Sequence, residues 1–136
     1  MKRYKFRTYL ILTLLWLAFV LLQGLLPGDV SSAESSGVLA LVNLVIPWLT
    51  HSVLRSAAHF LEYLLLGFLM TGAFCNAKRF TVFKPAFCCV LTALLDETCQ
   101  LHVAGRSGQF SDVWLDVGGA AIGIALMWLI SAMKKR

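Results

Sequence analysis

Three stretches of this chain set ionisable side chains about one helical turn apart. Arg55, His59 and Glu62 follow at i, i+4 and i+7, with Tyr63 and Gly67 flanking the stripe. On a helix these residues share one face, with Glu62 roughly 10 Å along the axis from Arg55. Thr92, Asp96 and Gln100 repeat every four residues, and Glu97 lies beside them. Asp112, Asp116, Gly119 and Gly123 make a third stripe, whose two glycines form a small-xxx-small seam that lets helices approach closely. Five carboxylates with two arginines and a histidine are more than structural ion pairing needs. Crowded carboxylates repel one another, which suits them to proton transfer or cation binding. His59, three residues before Glu62, offers a hydrogen-bonded dyad. His59, Glu62, Asp96, Glu97 and Asp116 are therefore the candidate catalytic groups. Arg55, Tyr63, Gln100, Arg106 and Asp112 are the candidate substrate-binding groups, the two guanidiniums being able to clamp a phosphate or carboxylate.

The elements that must position these groups are apolar. Of 136 residues, 59% are hydrophobic and 14% charged, far from the soluble norm. The pattern predicts an all-α membrane protein, a single domain with four transmembrane helices at about 8–26, 55–75, 80–99 and 112–133. Ten of the twelve Lys and Arg fall in three clusters, Lys2–Arg7, Lys78–Lys84 and Lys134–Arg136. Four spans put all three clusters on one side, which the positive-inside rule makes cytoplasmic, with both termini there. All seven carboxylates then fall at the outer face or in the outer half of the bilayer, joined only by Arg55 and Arg106. Charge at that depth is costly and marks function. The economical packing turns the three stripes toward one another, giving an outward-facing polar pocket in the outer half, closed toward the cytoplasm. The basic clusters read as anchors to anionic lipid, and no nucleic-acid partner is expected.

Residues 27–54 form the longest outer loop. Pro27-Gly28-Asp29 ends the first helix, and Ser31, Ser32, Ser35, Ser36 and Gly37 read as a polar linker. Residues 38–50 are apolar but too short to span, so they are expected at the interface or as a re-entrant segment; a loop packed on the bundle fits equally. Pro85 suits the first turn of the third span, and Gly105 and Gly108 suit a turn in the loop before the fourth. The first run has a basic start and small residues at Ser31-Ser32-Ala33, like a signal peptide, but its apolar stretch is long enough to span, and it is expected to be retained. The four cysteines suggest no disulfide framework.

A metal site from His59, Glu62, Asp96, Glu97 and His102 is conceivable, but the spacing matches no metal motif such as H-E-x-x-H, so no metal is assigned. There is no G-x-S-x-G, no phosphate-loop spacing, and nothing that activates Ser107 or Ser111. The residues name no cofactor.

Arg55-Ser56-Ala57-Ala58-His59-Phe60-Leu61-Glu62-Tyr63, followed by Gly67, resembles the first signature of the VanZ-like family. Asp96-Glu97-Thr98-Cys99-Gln100, Gly105-Arg106-Ser107-Gly108 and Asp112-Val113 with Asp116, Gly119 and Gly123 resemble its second. The likeness covers most of residues 50–125 in order and spacing. It departs at Ala104, where the family often has Pro, and at His102, where an apolar aromatic is common; both bear on the outer loop. The resemblance implies a bacterial inner membrane and a role at the envelope linked to low-level teicoplanin resistance. It supplies no mechanism.

Three functions compete. The first is an enzyme acting on a lipid or lipid-linked envelope component, the head in the pocket and the tail in the bilayer, with His59, Glu62 or a carboxylate at Asp96 or Glu97 moving protons. The second is a non-catalytic protein that binds or shields a lipid-linked cell-wall precursor or a lipoglycopeptide. The third, a small transporter, is disfavoured because the inner half of each span is nearly free of charge. Whether the chain is catalytic, and its oligomeric state, are not legible at this level.

Overall fold

The computed structural model describes residues 2–75, 82–106 and 109–133, without the side chains of residues 2–5 and 34. The described residues form five helices: α1 (Lys2–Gly24), α2 (Gly28–Val42), α3 (His51–Phe74), α4 (Phe83–Leu101) and α5 (Phe110–Met133). Residues 76–81 of the expected inner hairpin, the basic pair Lys78 and Arg79, the tail Lys134–Arg136, and Ser107 and Gly108 lie outside the described residues.

Among the described residues, three helices are long and apolar enough to cross a membrane: Phe6–Gly24 of α1, all of α3 and all of α5. The protein is an all-helical membrane protein. Its exposure pattern agrees, because large apolar side chains such as Leu15, Leu22, Leu61, Phe87, Leu95 and Trp128 are exposed, whereas Asp96, Glu97, Gln100 and Asp116 are buried. That inversion of the soluble arrangement suits a chain solvated by lipid.

α3 is the central element and packs on each of the other four helices. Thr50 Oγ1 caps it by accepting from Val53 N at 3.4 Å. Its closest neighbour is α5, and glycine makes that approach possible. A Cβ on Gly119 would strike the carbonyl of Phe60, one on Gly123 that of Leu64, and one on Gly67 that of Ala120. The expected seam therefore exists, and it faces α3. α1 docks on the same helix through Trp16, whose Nε1 donates to the Glu62 carbonyl at 2.9 Å. Val20, Tyr63, Leu66, Met70, Cys89, Ala93, Val113 and Ala120 form the core between them.

The serine-rich stretch is not a linker. It is helical as α2, starting directly after Pro27. Serine competes poorly in helices that face water, because its hydroxyl prefers local backbone partners. Here the helix itself supplies those partners: Ser32, Ser35 and Ser36 donate to the carbonyls of Gly28, Ser31 and Ser32 at 2.6, 2.8 and 2.7 Å. Of the apolar stretch 38–50, Val38–Val42 belong to α2, and residues 43–50 continue as turns and irregular chain.

Candidate functional site

α3, α4 and α5 bring their polar stripes to one end of the bundle, where α2 and residues 102–106 of the following loop cover them. The loop is held by backbone contacts. Gly105 adopts φ +75°, a left-handed turn that glycine takes without strain. Gly28 N donates to Ala104 O at 3.0 Å, and a Cβ on Gly28 would meet the Gly105 carbonyl. Arg106 Nη2 then reaches Ser31 Oγ at 2.8 Å.

Two cavities are formed among the described residues. The larger, about 430 Å³, is bounded by the serine face of α2, by His51 and Ser52, and by Gln109 and Asp112. The smaller, about 260 Å³, lies between α1, α2, α3 and α4 and is lined by His59, Glu62, Asp96 and Gln100 opposite Gln23 and Gly24. Ser31, Ser35, Arg55 and Arg106 line both. Both arginines therefore border both cavities, and each cavity offers serine hydroxyls together with carboxylates, Asp112 in the larger and Glu62 and Asp96 in the smaller.

A chain of contacts ties the helices together. Arg55 Nη2 lies 3.6 Å from Asp112 Oδ2 and donates to Gln100 Oε1 at 3.0 Å. Gln100 Nε2 donates to Asp96 Oδ2 at 3.1 Å. Glu97 Oε2 accepts from Gln109 N at 2.8 Å. His59 Nδ1 is 3.4 Å from Asp116 Oδ1. Burial pulls the pKa of Arg106 below its ordinary value and the charge of Arg55 adds to this, while Asp96, Glu62 and Glu97 act in the opposite sense.

The single shared pocket expected from the three stripes is divided. His59, Glu62, Asp96 and Gln100 line the smaller cavity, and Asp112 lines the larger. Glu97 and Asp116 line neither and lie buried behind His59, with one ligand atom of each within 4.8 Å of the others and of the imidazole. Tyr63 is placed in the core rather than on a cavity wall. Of the five residues conceivable as metal ligands from sequence, only His59 and Glu97 meet in this way. His102 is exposed, its Nδ1 2.8 Å from Thr98 O. The α2 serines and α1 residues Gln23 and Gly24 were not anticipated. Serines at 31/35 and 32/36 share a helical spacing, and Gln23 is the one polar residue near the end of an otherwise apolar run; those were the available signals.

The fold and site define a small helical membrane protein with a charged, two-chambered site at one end of its bundle. A family model described as VanZ/LLP1 matches residues 9–131, and the chain belongs to the VanZ family. No match was found among curated proteins or among solved structures.

Proposed function

We propose that this protein acts at the outer face of the bacterial inner membrane on a lipid or lipid-linked envelope component, in the context of glycopeptide (teicoplanin) resistance. In this reading α4 is a fourth span, both termini are cytoplasmic, and the site opens outward. The observation that carries it is that Arg55 and Arg106 border both cavities. Two cations flanked by Ser31 and Ser35 on the walls of both cavities suit a phosphate or carboxylate headgroup. Val20, Val38 and Leu54 on the smaller cavity's wall offer apolar surface for the start of a tail. Exposed Trp48 and Trp114 near the same end support reading it as interfacial, with the site at headgroup depth. Directly inward lies the apolar core around Tyr63, Leu66, Ala93 and Ala120, which argues against a transport path.

The test uses purified protein in nanodiscs with phosphatidylglycerol, phosphatidate, polyprenyl phosphate and polyprenyl diphosphate. Phosphate or headgroup release identifies an enzyme, with Glu62 and His59 as its proton carriers. Saturable binding without release identifies a binding or shielding protein, the alternative reading. Either activity should weaken at least about tenfold in Arg55→Gln or Arg106→Gln, the scale of one charge-assisted hydrogen bond. Wild-type affinity for all four lipids in both variants would refute the headgroup reading.

A further inference from the structure

We propose that His59, Glu97 and Asp116 form a binding site for one divalent first-row transition ion, behind the histidine wall of the smaller cavity. Three helices contribute one ligand each, α3 through His59, α4 through Glu97 and α5 through Asp116, with all ligand atoms within 4.8 Å of one another. Around an ion held at Zn–N and Zn–O distances of about 2.0–2.2 Å, neighbouring ligand atoms stand about 3.3 Å apart, so small side-chain rotations close the set.

The second observation is the state of these atoms. Asp116 is 0% exposed, and neither of its oxygens has a hydrogen-bond partner. His59 Nδ1 and Glu97 Oε1 are also buried without one; the 3.4 Å approach of His59 Nδ1 to Asp116 Oδ1 lacks hydrogen-bond geometry. Buried carboxylate oxygens are almost always satisfied by donors, cations or metals. Arg55 contacts Gln100 and Asp112 and Arg106 donates to Ser31, so neither guanidinium bonds to these orphaned oxygens. Among the described residues no lysine or arginine pairs with Asp96, Glu97 or Asp116. Asp96, whose Oδ1 is likewise orphaned, adds negative charge beside the three ligands. A divalent cation meets both deficits at once, the missing donors and the missing positive charge.

The donor set narrows the ion. One imidazole nitrogen with carboxylate oxygens and no thiolate disfavours Cu(I) and iron–sulfur chemistry, and imidazole disfavours Ca²⁺ and Mg²⁺. Zn²⁺ and Mn²⁺ are the suitable probes, with Zn²⁺ the tighter.

The experiment measures metal content, independently of any lipid activity, so its failure and the failure of the functional proposal are separate. Full-length protein in detergent is stripped with chelator, dialysed against Zn²⁺ or Mn²⁺, and analysed by mass spectrometry and Mn²⁺ electron paramagnetic resonance. The expected result is about one ion per chain, with a melting temperature raised by several degrees at 100-fold excess over Kd. His59→Ala and Asp116→Asn should each weaken binding at least about tenfold, whereas Glu62→Gln, outside the ligand set, should retain it. Should Asp116→Asn fail to fold, His59→Ala and nitrogen hyperfine coupling in wild-type protein carry the test. Stoichiometry well below one, equal binding in His59→Ala, or a resonance without nitrogen coupling would each overturn the site and leave an imidazolium–carboxylate pair in its place.

Discussion

Adding one methyl group at Gly123 should separate the two most closely packed helices. A Cβ there would meet the Leu64 carbonyl oxygen and lie 2.8 Å from Phe68 N and 2.9 Å from Leu64 C. Ordinary contact begins at 3.4 Å, so α5 must withdraw by about 0.6 Å from the nitrogen alone, and further from the oxygen. The obstacle is helical backbone, which has no rotamer to change. Overpacking of this kind costs about 1–3 kcal/mol, and along a glycine seam the shift is shared by every contact on it. Gly118 is the internal control, because a Cβ there meets nothing within 4 Å; Gly118→Ala should gain up to about 1 kcal/mol of helix propensity. Thermal unfolding in detergent, followed by size-exclusion of the heated samples, reads the difference. Gly123→Ala should melt about 5–10 °C below wild type, and Gly118→Ala at or above it. Gly119→Ala should follow Gly123→Ala, since its Cβ would strike the Phe60 carbonyl and lie 3.2 Å from Leu64 N. Melting of Gly123→Ala within about 2 °C of Gly118→Ala would refute the seam and the helix pairing that presents Asp116 to His59.

Glu62 lines the smaller cavity, is half-buried, and makes no ion pair among the described residues. Glu62→Gln should therefore fold at wild-type yield, measured by size-exclusion, while abolishing the headgroup turnover proposed above; a strong loss of folded protein would instead identify it as the counter-charge of a buried arginine. Reporter fusions at both termini should report the cytoplasm, and a fusion in residues 43–50 the outside; a periplasmic C-terminus would sink the orientation.

The helical stripes were legible because a period of 3.6 residues survives any change of solvent. What they could not resolve is which side of a stripe meets which neighbour. Successive residues on a helix differ by about 100°, so Glu62 turns to the cavity while Tyr63 turns into the core. Asp96 and Glu97 part in the same way, the first lining the cavity and the second meeting the Gln109 amide behind it. Asp112 and Asp116 share a face, but one turn of depth separates an ion pair with Arg55 from full burial beside His59. α2 was illegible for a different reason. Serine propensities are learned in water, and a stretch whose hydroxyls fold back onto its own carbonyls looks like linker until the surrounding elements are known.

The same distinction bears on α4 and on our four-span reading. At 19 residues it has the length to cross a hydrocarbon core, yet Lys84, Asp96 and Glu97 keep it from counting as apolar by composition. Composition averages over the whole circumference, and lipid meets only part of it. The exposed surface of α4 carries Phe83, Phe87, Leu91, Leu94 and Leu95, while Asp96, Glu97 and Gln100 are buried against the bundle. Thr98, the polar residue exposed near its end, donates its hydroxyl to the Leu94 carbonyl at 2.6 Å and so presents no unsatisfied group. A helix of that kind is apolar along the surface a membrane would test, apart from Lys84 exposed in its first turn, and its carboxylates are turned inward against the other helices. Functional membrane sites need that segregation, because the charges that do chemistry must be held at a depth where lipid would never tolerate them.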